Sequence, residues 1–291
     1  MIDTAKIVFF SGTGCTALSA DTLKGSLEKA GIAVFAAELK KQRDSVSELE
    51  ADLLVIMYPV HDFDAPLPAY EYVEGLERAS GQKVAIVPVS GGGEMLPNRA
   101  CRLGVRTGLE KKGFEVVYES MIVMPSTVFL YTPRPVARAL VEKLPSTCDA
   151  IASDLSKGTI HRIDPPLIDR LFSKTGDLMR GYWGRIRFSE KLRVDDTCTS
   201  CGLCARSCPR NNIDMIDGTP RFRTDCVMCG RCIYGCPNKA VLAGYAGSMF
   251  LKDGFSLDSY KSGQAPDISE LAPLVKGFLW IGVRQYLFCS P

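Results

Sequence analysis

Eight cysteines in two repeated runs constrain this chain more than any other feature. The first run is Cys198-x2-Cys201-x2-Cys204-x3-Cys208-Pro209, and the second is Cys226-x2-Cys229-x2-Cys232-x3-Cys236-Pro237. Thiolates at i, i+3 and i+6 wrap one iron–sulfur cube, while the fourth Cys of such a run reaches the other cube. That rule assigns Cys198, Cys201, Cys204 and Cys236 to one [4Fe–4S] cluster and Cys226, Cys229, Cys232 and Cys208 to a second. A zinc site would need two C-x2-C pairs on a longer spacer, with no use for a third Cys at i+6 or a following Pro. A disulfide framework belongs to short secreted chains with a signal peptide.

The rest of the composition narrows the class. A length of 291 residues accommodates one to three domains, and 46% hydrophobic residues can fill a sizeable core. The net charge of +2 gives no argument for nucleic acid as a partner. Cys15, Cys101, Cys148 and Cys289 are scattered, as free thiols packed like small hydrophobes in a reducing cytoplasm would be. No charged and apolar leader opens the chain, and no run of 18 apolar residues occurs. The expectation is therefore a cytoplasmic protein with no transmembrane segment.

Residues 1–160 alternate strand-like and helix-like segments. Apolar runs at 5–10 (AKIVFF), 32–39, 52–58 (DLLVIMY), 83–89 and 114–124 read as strands. Helical spacing over 16–30, 67–79, 96–112 and 135–157 fills the intervals. Alternating strands and helices predict a doubly wound α/β domain, a five-stranded parallel sheet in the flavodoxin-like order 2-1-3-4-5. Residues 161–190 break the pattern at Asp164-Pro165-Pro166 and read as a connector, with Arg, Gly and aromatics gathered at 180–188. Residues 191–245 form a small α+β two-cluster domain, ferredoxin-like, whose halves repeat Cys201-Gly202-Leu203-Cys204 as Cys229-Gly230-Arg231-Cys232. Each half is too small for its own core, so clusters must contribute much of its folding free energy. Residues 246–291 are an aromatic-rich extension expected to pack on the other domains, with a homodimer contact as the alternative.

Between the first strand and first helix lies Ser11-Gly12-Thr13-Gly14-Cys15-Thr16. A loop of this kind aims backbone N–H groups and a helix N-terminus at one spot and stabilises an anion there. It contains no Lys or Arg, unlike a Walker A loop, and lacks the three-glycine spacing of a dinucleotide turn. A phosphatase built on Cys15 would need Arg six residues later, where Asp21 stands. A plain tight turn is the other reading of the same residues.

The loop Ser11-Gly12-Thr13-Gly14-Cys15-Thr16 resembles the flavodoxin phosphate loop, Ser/Thr-x-Thr-Gly-Asn-Thr. With a two-cluster domain following it, and with Cys208-Pro209-Arg210-Asn211-Asn212-Ile213 between the cluster runs, the chain resembles the flavodoxin–ferredoxin fusion family of electron carriers over about residues 1–245. The resemblance implies FMN, its phosphate on Ser11, Gly12, Thr13, Gly14, Cys15 and Thr16. It further implies a flavin ring between the loop after the third strand (Tyr58, Pro59, Val60, His61, Phe63) and that after the fourth (Ser90, Gly91, Gly92). Both lie at the carboxyl ends of strands, where ligands of open α/β sheets bind.

Two departures bear on that implication. Cys15 replaces the usual Asn and removes an amide donor, which weakens phosphate binding but leaves the backbone donors. The third-strand loop contains no Gly, whose peptide in flavodoxins adjusts to the reduced ring, so weak stabilisation of half-reduced flavin is expected. His61 reads either as a donor to the ring or as an ordinary surface residue, Tyr58 and Phe63 as ring partners or core lids, and the Ser90-Gly91-Gly92 segment as a cradle or a flexible turn.

Three functions follow as alternatives. The first is electron transfer between two [4Fe–4S] clusters and FMN, serving a redox protein partner. The second is an FMN-dependent reductase of a quinone, nitro compound or flavin, with His61 as its one acid–base candidate. The third is a ferredoxin with a flavin-free docking domain. Residues 185–245 hold ten Lys or Arg and six Asp or Glu, a balance of +4, which points to docking on an acidic partner patch.

Overall fold

The computed structural model describes residues 2–40, 51–129, 131–171, 188–261 and 266–289. Its main sheet has five parallel strands, β1 (Thr4–Phe9), β2 (Ala33–Glu38), β3 (Leu53–Met57), β4 (Lys83–Ile86) and β6 (Glu115–Glu119), in the spatial order β2-β1-β3-β4-β6. Counted along the chain, that is the flavodoxin-like order 2-1-3-4-5. Strands β1, β3 and β4 alternate between two cores. Ile7, Val55 and Ala85 face one layer with Leu23, Leu27, Leu144 and Ile151, whereas Val8, Ile56 and Val84 face the other with Val73, Val105 and Leu109. Helices α1 (Cys15–Lys29) and α4 (Arg134–Ser156) therefore cover one face, and α2 (Leu67–Glu74) and α3 (Leu103–Lys111) the other. The central strand β3 is buried at all five positions, as a parallel strand covered on both sides must be.

Several expected elements are shorter or divided. The expected strand at 83–89 breaks at Pro88, which has no N–H to give a neighbour. It resumes as β5 (Val89–Ser90), paired in parallel with β7 (Ile122–Val123), the continuation of β6. The expected helix at 67–79 stops at Glu74, where Gly75 caps it. That at 96–112 becomes a 3-10 turn, Asn98–Ala100, followed by α3. After α4 the chain returns to the sheet edge, where the His161 N–H donates to the Val117 carbonyl at 2.9 Å. Residues 172–187, with most of the aromatic connector and two of the ten basic positions, lie outside the described residues.

The cysteine module is built on two small antiparallel pairs. Arg193–Val194 pairs with Val241–Leu242, and Ile213–Ile216 pairs with Thr219–Phe222. Beyond it, Phe255, Leu257 and Tyr260 join the core under α1 and α4. Leu271, Val275, Trp280 and Val283 pack on Val123, Val136 and Leu140. No described helix is long and apolar enough to cross a membrane.

Candidate functional site

The two cysteine runs fold alike. Ser200 and Met228 turn the chain with φ 56° and 52°, and Gly202 and Gly230 follow at 70° and 72°. A short helix begins after each glycine, at Leu203–Ser207 and Arg231–Tyr234. Past each Cys-Pro the chain turns again, with Asn211 at 50° and Lys239 at 53°. There the Asn212 N–H donates to Cys208 Sγ at 3.4 Å and the Ala240 N–H to Cys236 Sγ at 3.3 Å. Such N–H···S bonds are among the groups that set a cluster's potential.

The surroundings of the two groups differ. Cys201 of the outer group is exposed. One cavity is lined by Cys208, Cys226, Cys229 and Cys232 together with Phe188, Ile213 and Val227. Burial pushes the Cys226 thiol up to about 12 and raises Cys229 and Cys232 as well. Three sulfurs so desolvated are stable as thiolates only around a cationic body, which fits iron. Among the described residues no three His, Cys, Asp or Glu side chains converge on a single-ion site.

The first loop enters α1 through Gly14, whose φ of 98° favours glycine. Ser11 Oγ accepts the Gly14 N–H at 3.3 Å and the Ala17 N–H at 3.2 Å. Both acceptor positions are thus occupied, which leaves its hydroxyl hydrogen to donate. Among the described residues the N–H groups of Cys15 and Thr16 have no protein acceptor. A helix N-terminus with spare N–H donors and a hydroxyl is a suitable donor set for a phosphate. Cys15 takes no part as a nucleophile: burial pushes its thiol up to about 12, and its Sγ lies 3.9 Å from the Pro125 carbonyl.

The loop after β3 is a tight turn. The His61 and Asp64 N–H groups each donate to the other's carbonyl at 2.9 Å, and between them Asp62 and Phe63 have φ of 48° and 66°. Positive φ at both central residues is the signature of a type I′ turn, here made without glycine. Phe63 is 46% exposed at its tip. His61 meets the ring of Phe10 edge-on, and burial lowers its pKa, so its imidazole is neutral at ordinary pH. Tyr58 is a core residue: it is fully buried and donates to the Cys101 carbonyl at 3.2 Å, so the structure gives it no face toward a ring. Pro59 and Val60 continue the sheet, through the Val60 N–H to the Val89 carbonyl at 2.9 Å.

The loop after β5 is closed by Ser90, whose Oγ accepts the N–H groups of Gly92 and Gly93 and the Asn98 amide. A Cβ on Gly91 would collide with Ser126, and one on Gly93 with the backbone of Gly282. The final helix, Ile281–Phe288, thus lies directly on this loop. Nothing in the local sequence signals that contact, because it joins segments about 190 residues apart.

The inner cysteine group meets the first loop. A Cβ on Gly12 would overlap the carbonyl of Cys229. Arg231 donates to the carbonyls of Ser11 and Gly12 and pairs with Glu38. Arg210 pairs with Glu71 of α2 and, at 3.0 Å, with Asp225 of its own module. Val227 is buried with Phe10 and Tyr58. Sequence reasoning counted Arg210 and Arg231 as surface charge and missed Glu38 and Glu71. The one legible sign was Arg231 itself, standing where the first run has Leu203.

Comparison with known proteins adds the following. Residues 190–243 match the family model described as a 4Fe–4S dicluster domain. No curated protein matches the chain. Among solved structures the chain is similar to a flavodoxin from the domain Archaea, with 15% identity, a TM-score of 0.39, and coverage of 53% of this chain and 96% of that one. It is likewise similar to Flavodoxin 2 from Bacillus cereus, with 23% identity, a TM-score of 0.39, and coverage of 52% and 99%. The Streptococcus pneumonia TIGR4 flavodoxin gives 21%, 0.37, 52% and 99%. The flavodoxin-like assignment rests on the strand order of the sheet itself.

Proposed function

We propose that this chain, a flavodoxin-like sheet joined to a 4Fe–4S dicluster domain, is an electron carrier that connects two [4Fe–4S] clusters to FMN and serves a redox partner protein. The observation that carries the reading is the contact of Cys229 with Gly12. It places one thiolate group against the loop best equipped for a flavin phosphate, while Cys201 of the other group faces solvent. The ligand sets are Cys198, Cys201, Cys204 and Cys236 outside, and Cys226, Cys229, Cys232 and Cys208 inside. The FMN phosphate is held by the N–H groups of Cys15 and Thr16 and the Ser11 hydroxyl, with Thr13 beside them. Phe63 and the Gly91–Gly92 backbone flank the ring.

Clusters supply one-electron steps and FMN one- or two-electron steps. The chain contributes placement. Residues 188–261 hold both thiolate groups in one small module, which Arg231 joins to the first loop and Glu38, and Arg210 to Glu71 of α2. Holding both redox sites on one chain raises their effective concentration for each other. Because Arg210 and Arg231 point inward, the outward charge of the module is smaller than its composition indicates, and acidic-patch docking loses part of its basis.

Anaerobic purification with iron, sulfide and flavin analysis tests the reading. Eight irons, eight sulfides and one FMN per chain are expected, at about four of each inorganic atom per cube. A protein that binds its clusters but neither retains nor takes up FMN is instead a ferredoxin with a flavin-free docking domain.

A further inference from the structure

Arg231 sits between the second and third cysteines of the inner run, yet its side chain reaches two carbonyls of the first loop. Its Nε donates to the Gly12 carbonyl at 3.3 Å. One terminal nitrogen donates to the Ser11 carbonyl and pairs with Glu38, and the other donates to the Ser207 carbonyl at 3.1 Å. The Ser11 and Gly12 carbonyls share their peptide planes with the N–H groups of Gly12 and Thr13. In a planar trans peptide the C=O and N–H point in opposite directions. A guanidinium held behind both carbonyls therefore aims two N–H groups away from itself and polarises both peptide dipoles toward an anion on the far side. The loop has no Lys or Arg of its own. The cysteine module supplies the cation from behind, and Glu38 keeps that cation paired inside the junction.

We propose that Arg231 is the positioning residue of the phosphate site in the first loop, so that flavin phosphate and the inner cluster stabilise each other's sites. The proposal rests on the reading that the loop holds FMN. Loss of the inner cluster frees the Arg231 backbone and loosens the loop peptides. By linkage, a phosphate that fixes those peptides slows loss of the inner cluster by the same coupling.

The test compares FMN with riboflavin, which carries the same ring without phosphate. Full-length protein is purified anaerobically, freed of flavin with clusters intact, and titrated with each by quenching of flavin fluorescence. Arg231→Gln is expected to weaken FMN about tenfold, as for one lost hydrogen-bonding contribution to a charged group, and to change riboflavin less than about twofold. Arg231→Lys restores part of the FMN affinity. Equal loss of both flavins identifies a merely structural clamp and overturns the proposal, as does no loss of either. Wild-type protein that binds no FMN overturns the flavin reading and the proposal together. Wild-type protein that binds FMN while Arg231→Gln binds it equally well overturns the proposal alone. If Arg231→Gln loses its inner cluster, the wild type still decides. FMN, and not riboflavin, must slow iron release to a chelator, and equal rates with the two flavins overturn the coupling.

Discussion

The two halves of the cysteine module share a backbone and differ in what they face. Three positive-φ positions of one half match three of the other, and so do the N–H···S contacts that follow each Cys-Pro. The outer half presents Cys201 and Leu203 to solvent, whereas the inner half presses Cys229 on Gly12 and sends Arg231 into the first loop. The spacing of the cysteines builds the cage. The residue between the second and third cysteines decides what the cage meets. A pattern that looks duplicated in sequence thus gives two cysteine groups with different neighbours, one open to solvent and one fixed inside the molecule.

Removing one cysteine from each half breaks the comparison most directly. Cys229→Ser should lose one cluster together with the junction that Val227, Arg210 and Arg231 form, at a cost on the order of several kcal/mol. Cys201→Ser should also lose one cluster but leave that junction standing. Iron and sulfide content gives the cluster count, and the thermal midpoint gives stability. Equal midpoints for the two variants would show that the inner position has no structural privilege.

The ion pairs sharpen the same contrast at smaller size. The Arg210 side chain is 7% exposed and bridges Glu71 of the sheet domain to Asp225. Truncating it removes the paired guanidinium from Glu71 and Asp225, so Arg210→Ala should cost about 2 kcal/mol in denaturant unfolding. Arg223 makes a comparable pair with Asp214 on the open side, where both groups are well exposed. Arg223→Ala should cost less than about 1 kcal/mol. If the two variants unfold alike, Arg210 does not hold the domains together.

These contrasts also mark how far the sequence could be read. The cysteine runs, the strand–helix alternation and the loop at Ser11 to Thr16 carry local signatures, and the five-stranded parallel order followed from them. What escaped was long-range. Pro88 divides a strand because of the N–H it lacks toward a neighbour, which is visible only once the neighbour is known. Tyr58 turns inward to the Cys101 carbonyl although its strand could have presented it at the loop. Gly282 has to be glycine because the chain it touches, at Gly92 to Glu94, arrives from the opposite end of the sequence. Arg231 read as one unit of basic charge because no local rule pairs it with Glu38.

Gly12 tests the closeness of the inner half to the first loop. A methyl group there has no room against the Cys229 carbonyl, so Gly12→Ala must move one backbone or the other. An overpacked contact of this kind costs about 1–3 kcal/mol. The expected result is a lowered thermal midpoint with both clusters retained, read by thermal unfolding and by iron and sulfide content. An unchanged midpoint would mean that the two segments do not touch.

The smallest effect belongs to Leu203, the outer counterpart of Arg231. It is 39% exposed and begins the short helix that follows Gly202. A half-exposed apolar side chain with solvent in front of it contributes little, so Leu203→Gln should shift stability by less than about 0.5 kcal/mol. Both clusters should remain, because no part of the junction with the first loop involves this position. The outcome has a second use. A loss well beyond that size would mean that Leu203 is covered in solution, and sedimentation would then show whether a second copy of the chain covers it. In that event the outer half would be as enclosed as the inner one, and the difference between a solvent-facing and an inward-facing cysteine group would disappear.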